Sequence, residues 1–335
     1  MKLNLFSETA LRITSIAFVA INLGASDIPK TALSFPALPQ GLTSFGAEVL
    51  GGAVYVYGGH VGKAHDYSVE TTLGDFLRLD LDGGRHWEKL AGGSRAQGTR
   101  LVAYQGSLYR IGGLQARERA DGSVALHSLP EFARYDVRAN KWEPLVPMPN
   151  GRSSHEATIV GSKIFVGGGW TMSGRTSGGK WSDSMLVIDL EAEELAWQAL
   201  PQPFQRRAIA SDTVRGKVYF IGGMDADGDP SREVDVYDIR TGTWSGGPLI
   251  PSGPMQGFGS AACHLDGALL LSSYQGGIVR LSDDGTEWDS VGRLAEKRFF
   301  HRITPLPHGG LLAIAGASRK AGHLASLESI SLGQY

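Results

Sequence analysis

Cysteine is almost absent from this chain. Cys263 stands alone among 335 residues, so no intramolecular disulfide can form, and a large core must stabilise the fold instead. An excess of one charge sign is also missing. The 32 Lys and Arg against 34 Asp and Glu leave a formal charge of -2, which provides no basic field to attract nucleic acid. After residue 26 no apolar run is long enough to cross a bilayer, so no membrane span is expected. There is no G-x-S-x-G nucleophile elbow and no G-x-x-x-x-G-K-[ST] phosphate loop. Asp225, Asp227 and Asp229 alternate like the start of a calcium loop, but Val236 occupies the twelfth position, where a bidentate glutamate is needed. Neither a metal nor a cofactor is expected.

Glycine is abundant, with 46 residues, and it is spaced. A turn glycine followed six residues later by a pair occurs as Gly52 with Gly58-Gly59, Gly106 with Gly112-Gly113, Gly161 with Gly167-Gly168, and Gly216 with Gly222-Gly223. Two degenerate copies follow, Gly267 with Ser273-Tyr274 and Gly310 with Gly316-Ala317. Every copy but the last reaches a tryptophan: Trp87, Trp142, Trp197, Trp244 and Trp288. A period near fifty residues built of short apolar strands is the pattern of a β-propeller blade. Paired glycines let a neighbouring backbone approach, and the indole fills the wedge between twisted sheets. Asp136 and Asp238 each precede a tryptophan by six residues, as suits an Asx-stabilised hairpin. A single blade cannot bury both its faces, so the ring must close.

These residues resemble the kelch family of propellers over roughly residues 31–335, and the resemblance implies an all-β fold. The expectation is a six-bladed propeller whose last blade, lacking a fourth strand, is completed by an N-terminal strand. That strand is read in Ala32-Leu33-Ser34-Phe35-Pro36-Ala37-Leu38-Pro39, with Phe35 in the tryptophan position. Residues 1–26 read as a signal peptide, because Lys2 and Arg12 precede an apolar run at 13–23 and the small residues Gly24-Ala25-Ser26. Residues 27–335 then form one exported domain, secreted or periplasmic.

In a four-stranded blade, the connection into the first strand and the one between strands two and three emerge on one face, so those segments form the candidate site. The first set supplies Arg100, Arg152, His155, Arg207, Arg298 and His301, with Arg206 adjacent; the long loops supply His60, Tyr67, Trp170 and Trp181. Arginines beside aromatic platforms suit a carboxylate ligand. The same arginines and histidines can instead hydrogen-bond the backbone of neighbouring blades. Glu48, Glu156 and Asp212 fall on inner strands facing the channel, and Glu48 and His155 are the candidate acid/base groups.

Two function classes follow. One is a module that binds a protein or glycan at the loop face. The other is a sugar mutarotase, because the repeat number, the leader and the arginine-rich face resemble exported bacterial kelch proteins of the N-acetylneuraminate epimerase type. Fold does not choose between them.

Overall fold

The computed structural model describes residues 34–333, so the leader and the first residues of the closing strand lie outside the described residues. Five antiparallel four-stranded sheets follow one another along the chain, and a three-stranded sheet comes last. The innermost strands are Gly46–Leu50, Arg100–Tyr104, Glu156–Val160, Ala210–Val214, Ala261–Leu265 and Arg302–Pro305. Each second strand is covered on both faces by neighbouring sheets, so Ala53–Tyr57 is buried along its whole length and reads as a continuous apolar run.

The chain is fastened into a ring at three levels. At the axis, six residues just before the inner strands take left-handed φ values of 52–61°: Ser44, Gly98, Ser154, Ala208, Gly259 and Phe300. Each donates its N–H to the carbonyl of the preceding one, at 2.6–3.3 Å, and Ser44 donates to Phe300, so six hydrogen bonds form a closed circle. Further out, the glycine pairs dock onto the next sheet. Gly59, Gly113, Gly169 and Gly223 donate to the carbonyls of Ala96, Arg152, Arg206 and Gly257, and Gly316 donates to Leu42 across the closure. At the rim, each tryptophan donates Nε1–H to the sheet before it: Trp87 to Pro36, Trp142 to Ala91, Trp197 to Val146, Trp244 to Pro201 and Trp288 to Pro248, at 3.0–3.1 Å.

Among the described residues the N-terminal segment reaches the last sheet without forming a fourth strand there, since residues 34–42 are irregular and that sheet has three strands. Leu38 and Leu42 donate to Ala325 and Leu324 of the last strand, Gly322–Ile330, and their side chains are buried with Leu312 and Ile314. Three registers differ from the sequence reading. The last four tryptophan acceptors each stand four residues after a preceding tryptophan (91 against 87, 146 against 142, 201 against 197, 248 against 244). Pro36 takes that acceptor role for Trp87, so Phe35 lies one residue before the acceptor and not in the tryptophan place. In the third copy the left-handed pair is Gly168-Gly169 and not Gly167-Gly168, because Gly161 is the first residue of its turn. In the last copy it is Ala315-Gly316 and not Gly316-Ala317.

The long loops between strands two and three of the second and third sheets are themselves sheet. Leu114–Glu118 pairs with Val124–Ser128, Ser173–Arg175 joins their edge, and Trp170–Thr171 pairs with Lys180–Trp181. Alternating Leu114, Ala116 and Leu126 bury one face against Met172, which is the period-two signal of a half-buried strand. The Asx turns are present: Asp136 Oδ1 accepts the N–H groups of Arg138 and Ala139, and Asp238 Oδ1 accepts that of Thr241.

The glycine pairs yield a direct prediction. A Cβ on Gly112, where φ is 55°, would overlap the Arg152 carbonyl and stand 2.8 Å from His155 Cε1. Gly122 has φ 77° and nothing within 4 Å. Gly112→Ala is expected to destabilise by about 3 kcal/mol or more, from overlap and lost sheet docking, and Gly122→Ala by only about 1 kcal/mol from the left-handed backbone. Equal losses in chemical denaturation would contradict this account of the docking.

Candidate functional site

The arginines expected at the mouth divide into three groups: wall, loop face and channel. Arg152, Arg206 and Arg298 each stand two residues before a ring residue and point into the wall. Arg152 donates to the carbonyls of Val166 and Ser184; Arg206 to those of Gly222 and Glu233; Arg298 to those of Ala315 and Ser326. Arg152 and Arg206 thereby tie the end of strand two to the start of strand three, and Arg298 ties it to the middle of Gly322–Ile330. Arg206 also pairs with Asp235, and Arg298 with Glu328 at 2.9 Å. Arg298 is 1% exposed and Arg152 is buried, so both sit inside the wall and not on the mouth. Burial pushes the Arg152 guanidinium down to about 10. His155 and His301 are likewise interior. His301 Nε2 meets Ser272 Oγ at 2.9 Å, and burial followed by the nearby arginines pushes both imidazoles down to about 3. Both stay neutral at ordinary pH, so His155 is not placed to exchange protons with a ligand at the mouth.

Arg207, one residue further along than Arg206, points out onto the loop face. Its guanidinium lies over Trp170 at 4.2 Å and within 5.8 Å of Trp181, and the two indoles are 5.8 Å apart. Its Nη2 meets only the sulfur of Met224, and it makes no ion pair among the described residues. Burial lowers its pKa, and Tyr67 is the one ionisable neighbour that opposes this. Tyr67 packs against the same cluster as Trp170 and extends towards His60, with ring centroids 5.7 Å apart. His60 donates Nε2–H to the Asp66 carbonyl, and its ring meets His323 of the last sheet at 5.4 Å. The structure therefore brings together His60, Tyr67, Trp170 and Arg207 from three sheets.

A second aromatic group on this face escaped the sequence reading. Phe258, Phe299, Phe300 and Tyr274 contact one another at 4.9–6.1 Å, with Arg319 5.6 Å from the Tyr274 ring. The signal was the run Arg298-Phe299-Phe300-His301, where two bulky residues precede an inner strand. The closed ring of backbone groups forms the floor between these elements, within a cavity lined also by His155, Glu156, His301 and Arg302.

Beneath the ring the channel is plugged. Glu156 pairs with Arg100 at 3.0 Å and with Arg302, whose strand lies three sheets away, and the two arginines also bond the carbonyls of Ala157, Ala47 and Phe45. Arg100 is thus committed within the channel. Below it lies a separate chamber containing Glu48, Asp212, Cys263 and His264. Asp212 Oδ1 meets His264 Nδ1 at 3.1 Å and accepts the Thr213 N–H at 2.7 Å, while its Oδ2 accepts the His264 N–H at 2.9 Å. The bond to Asp212 raises the His264 pKa, burial raises the Glu48 carboxyl, and burial raises the Cys263 thiol far enough to keep it unreactive. Asp225, of the aspartate run, caps the N–H groups of Asp227 and Asp229 in a turn.

Comparisons with known proteins agree with this architecture. A Kelch motif model matches residues 205–248. Kelch-like protein 35 of Mus musculus is 24% identical over 229 residues, covering 68% of this chain and 34% of the relative. Kelch repeat and BTB domain-containing protein 12 of Homo sapiens is 23% identical over 188 residues, covering 53% and 29% respectively. Kelch-like protein 40 of Mus musculus is 28% identical over 192 residues, covering 57% and 28%. The matched part thus spans about a third of these relatives' length. A solved structure titled "Structure of YjhT" superposes with a TM-score of 0.71 at 16% identity, covering 90% of this chain and 99% of that one, which is a likeness of fold.

Proposed function

We propose that this kelch-repeat β-propeller is a recognition module, exported from the cytosol, whose loop face binds a protein or glycan through a carboxylate group. Arg207 carries the proposal. A guanidinium held over Trp170, half-buried and without an acidic partner among the described residues, is organised for an anion that the chain itself does not supply. Trp181 and Tyr67 flank it with ring faces suited to a sugar or to an apolar side chain. The leader features at Lys2, Arg12 and residues 13–23 support the exported location. Propellers of this kind commonly bind proteins through such a face, which favours a protein partner over a glycan.

The test uses the purified protein with sialylated and neutral glycans and with acidic and amidated peptides. Arg207→Ala is expected to weaken binding of the carboxylate-bearing ligand by about ten- to a hundredfold, the worth of a charge-assisted hydrogen bond. Arg138→Ala, on an outer turn, should leave it unchanged. A ligand bound equally by the amidated form and by Arg207→Ala would remove Arg207 from the site.

Anomer exchange of a sugar is the second reading. Glu48 favours it, a carboxyl that burial in the channel shifts towards the protonated form and so towards use as an acid. Following freshly dissolved α-sialic acid by NMR decides it, with exchange accelerated by the protein and abolished in Glu48→Gln as the supporting result.

A further inference from the structure

The chamber below the plug has a charge surplus that the loop-face reading does not use. Three carboxylates, Glu48, Glu156 and Asp212, share the channel with two guanidiniums, Arg100 and Arg302, and both guanidiniums are engaged by Glu156. One negative charge is therefore left over when His264 is neutral and Glu48, which burial favours protonating and Arg100 favours ionising, has released its proton. Asp212 is fully occupied as an acceptor, holding the Thr213 N–H, the backbone and Nδ1 of His264, and Thr158 Oγ1 at 3.4 Å. Glu48 is not. Its Oε1 accepts the Val49 N–H at 2.9 Å, and its other oxygen has no hydrogen bond among the described residues. An imidazole that donates Nδ1–H to Asp212 carries its lone pair at Nε2, so His264 adds a second acceptor. Its side chain is 63% exposed, which marks where the chamber meets solvent on the hairpin side. Val102, Ile159 and Pro305 give the chamber apolar walls.

We propose that this lower chamber binds the ammonium head of an alkylamine, with Glu48 as counter-ion, His264 Nε2 as second acceptor, and the apolar walls against the methylene chain. A compact cation with three N–H donors fits a single carboxylate without an ion-pair partner beside a neutral acceptor, whereas no three His, Cys, Asp or Glu side chains among the described residues are placed to hold a metal ion. The amine competes with a proton. Protonating His264 cancels the surplus charge and removes the Nε2 lone pair, while Glu48, Asp212 and Glu156 on one side and Arg100 and Arg302 on the other keep their places. Affinity therefore rises with pH as Glu48 and His264 release their protons, because an alkylamine stays charged up to about pH 10.

The experiment is an NMR titration of the full protein with n-butylammonium chloride, with n-butanol and sodium chloride as matched controls. Saturable binding is expected at pH 8, weaker by at least tenfold at pH 5.5 and by at least tenfold in Glu48→Gln at pH 8. The His264 ring-proton titration midpoint should fall by half a pH unit or more when the amine is present. Butanol or sodium chloride producing the same shifts, or a folded Glu48→Gln binding as well as the parent, overturns the proposal. Should Glu48→Gln not fold, His264→Gln decides, because it removes one of the two titrating groups and must reduce the pH dependence; an unchanged pH dependence overturns the proposal. An acetylated tetrapeptide with one lysine separates the sources: tighter binding than butylammonium assigns the site to a partner's lysine, and weaker binding to a free amine.

Discussion

A chain beginning at Thr43 is expected to lose most of its folding stability. The removed segment buries Leu38 and Leu42, each worth about 2 kcal/mol, against the first and last sheets. It also supplies four hydrogen bonds worth about 1 kcal/mol each: Leu38 to Ala325, Leu42 to Leu324, Gly316 to Leu42, and Trp87 Nε1 to Pro36. Together these approach about 8 kcal/mol, against a total of about 5–15 kcal/mol for a typical domain. The deletion would also bare the Leu324 and Ala325 carbonyls on the edge strand Gly322–Ile330, which invites self-association. Chemical denaturation with sedimentation measures both effects. A peptide covering residues 27–42, added in trans, should restore part of the lost stability by pairing with that edge. A truncated chain that melts like the intact one means the seam between last and first sheets does not hold the ring.

Acid is expected to weaken the fold well above the range where carboxylates titrate. His155 and His301 are 2% and 1% exposed, and burial sets both near 3. In the unfolded chain each titrates near about 6.5. Between these values the unfolded state binds protons that the native state refuses, so stability falls as pH falls, by about 1.4 kcal/mol per pH unit for each residue. Two such residues remove on the order of 5 kcal/mol between about pH 6.5 and 4.5. His323, lowered by burial and then by His60, adds in the same direction. His264 opposes them: its raised value stabilises the fold below about pH 6.5, and that contribution is lost as pH rises through its folded value. Urea midpoints across this range are the measurement. His301→Gln should flatten the slope by about half, even at a cost in stability at pH 7, and an unchanged slope would remove buried imidazole as its cause.

The repeat was legible because its physics is local. Gly58-Gly59 and Gly112-Gly113 bend where another backbone must approach, and Trp142 fills a wedge bounded by Tyr57, Phe76 and Tyr135, so residue type and spacing announce the unit. The candidate site was legible only in part. Arg206 and Arg207 are adjacent and chemically identical, yet one ties two strands inside the wall and the other stacks on Trp170 outside it. A one-residue difference in register exchanges inside for outside. The hairpin at Leu114–Ser128 had a readable alternation and an Asp121-Gly122 turn; its length as an insertion obscured it.

What the sequence alone determined is the class of unit, its approximate number of copies and the need for the two ends to meet, all consequences of short-range glycine, tryptophan and strand patterns. What only the tertiary structure decided is which charges meet. Glu156 finds Arg302 146 residues away, and six left-handed residues scattered from Ser44 to Phe300 join in one circle of hydrogen bonds. The reason is geometric: such partners are neighbours only once the sheets surround a common axis, and nothing in the spacing along the chain records which side chain turns towards it.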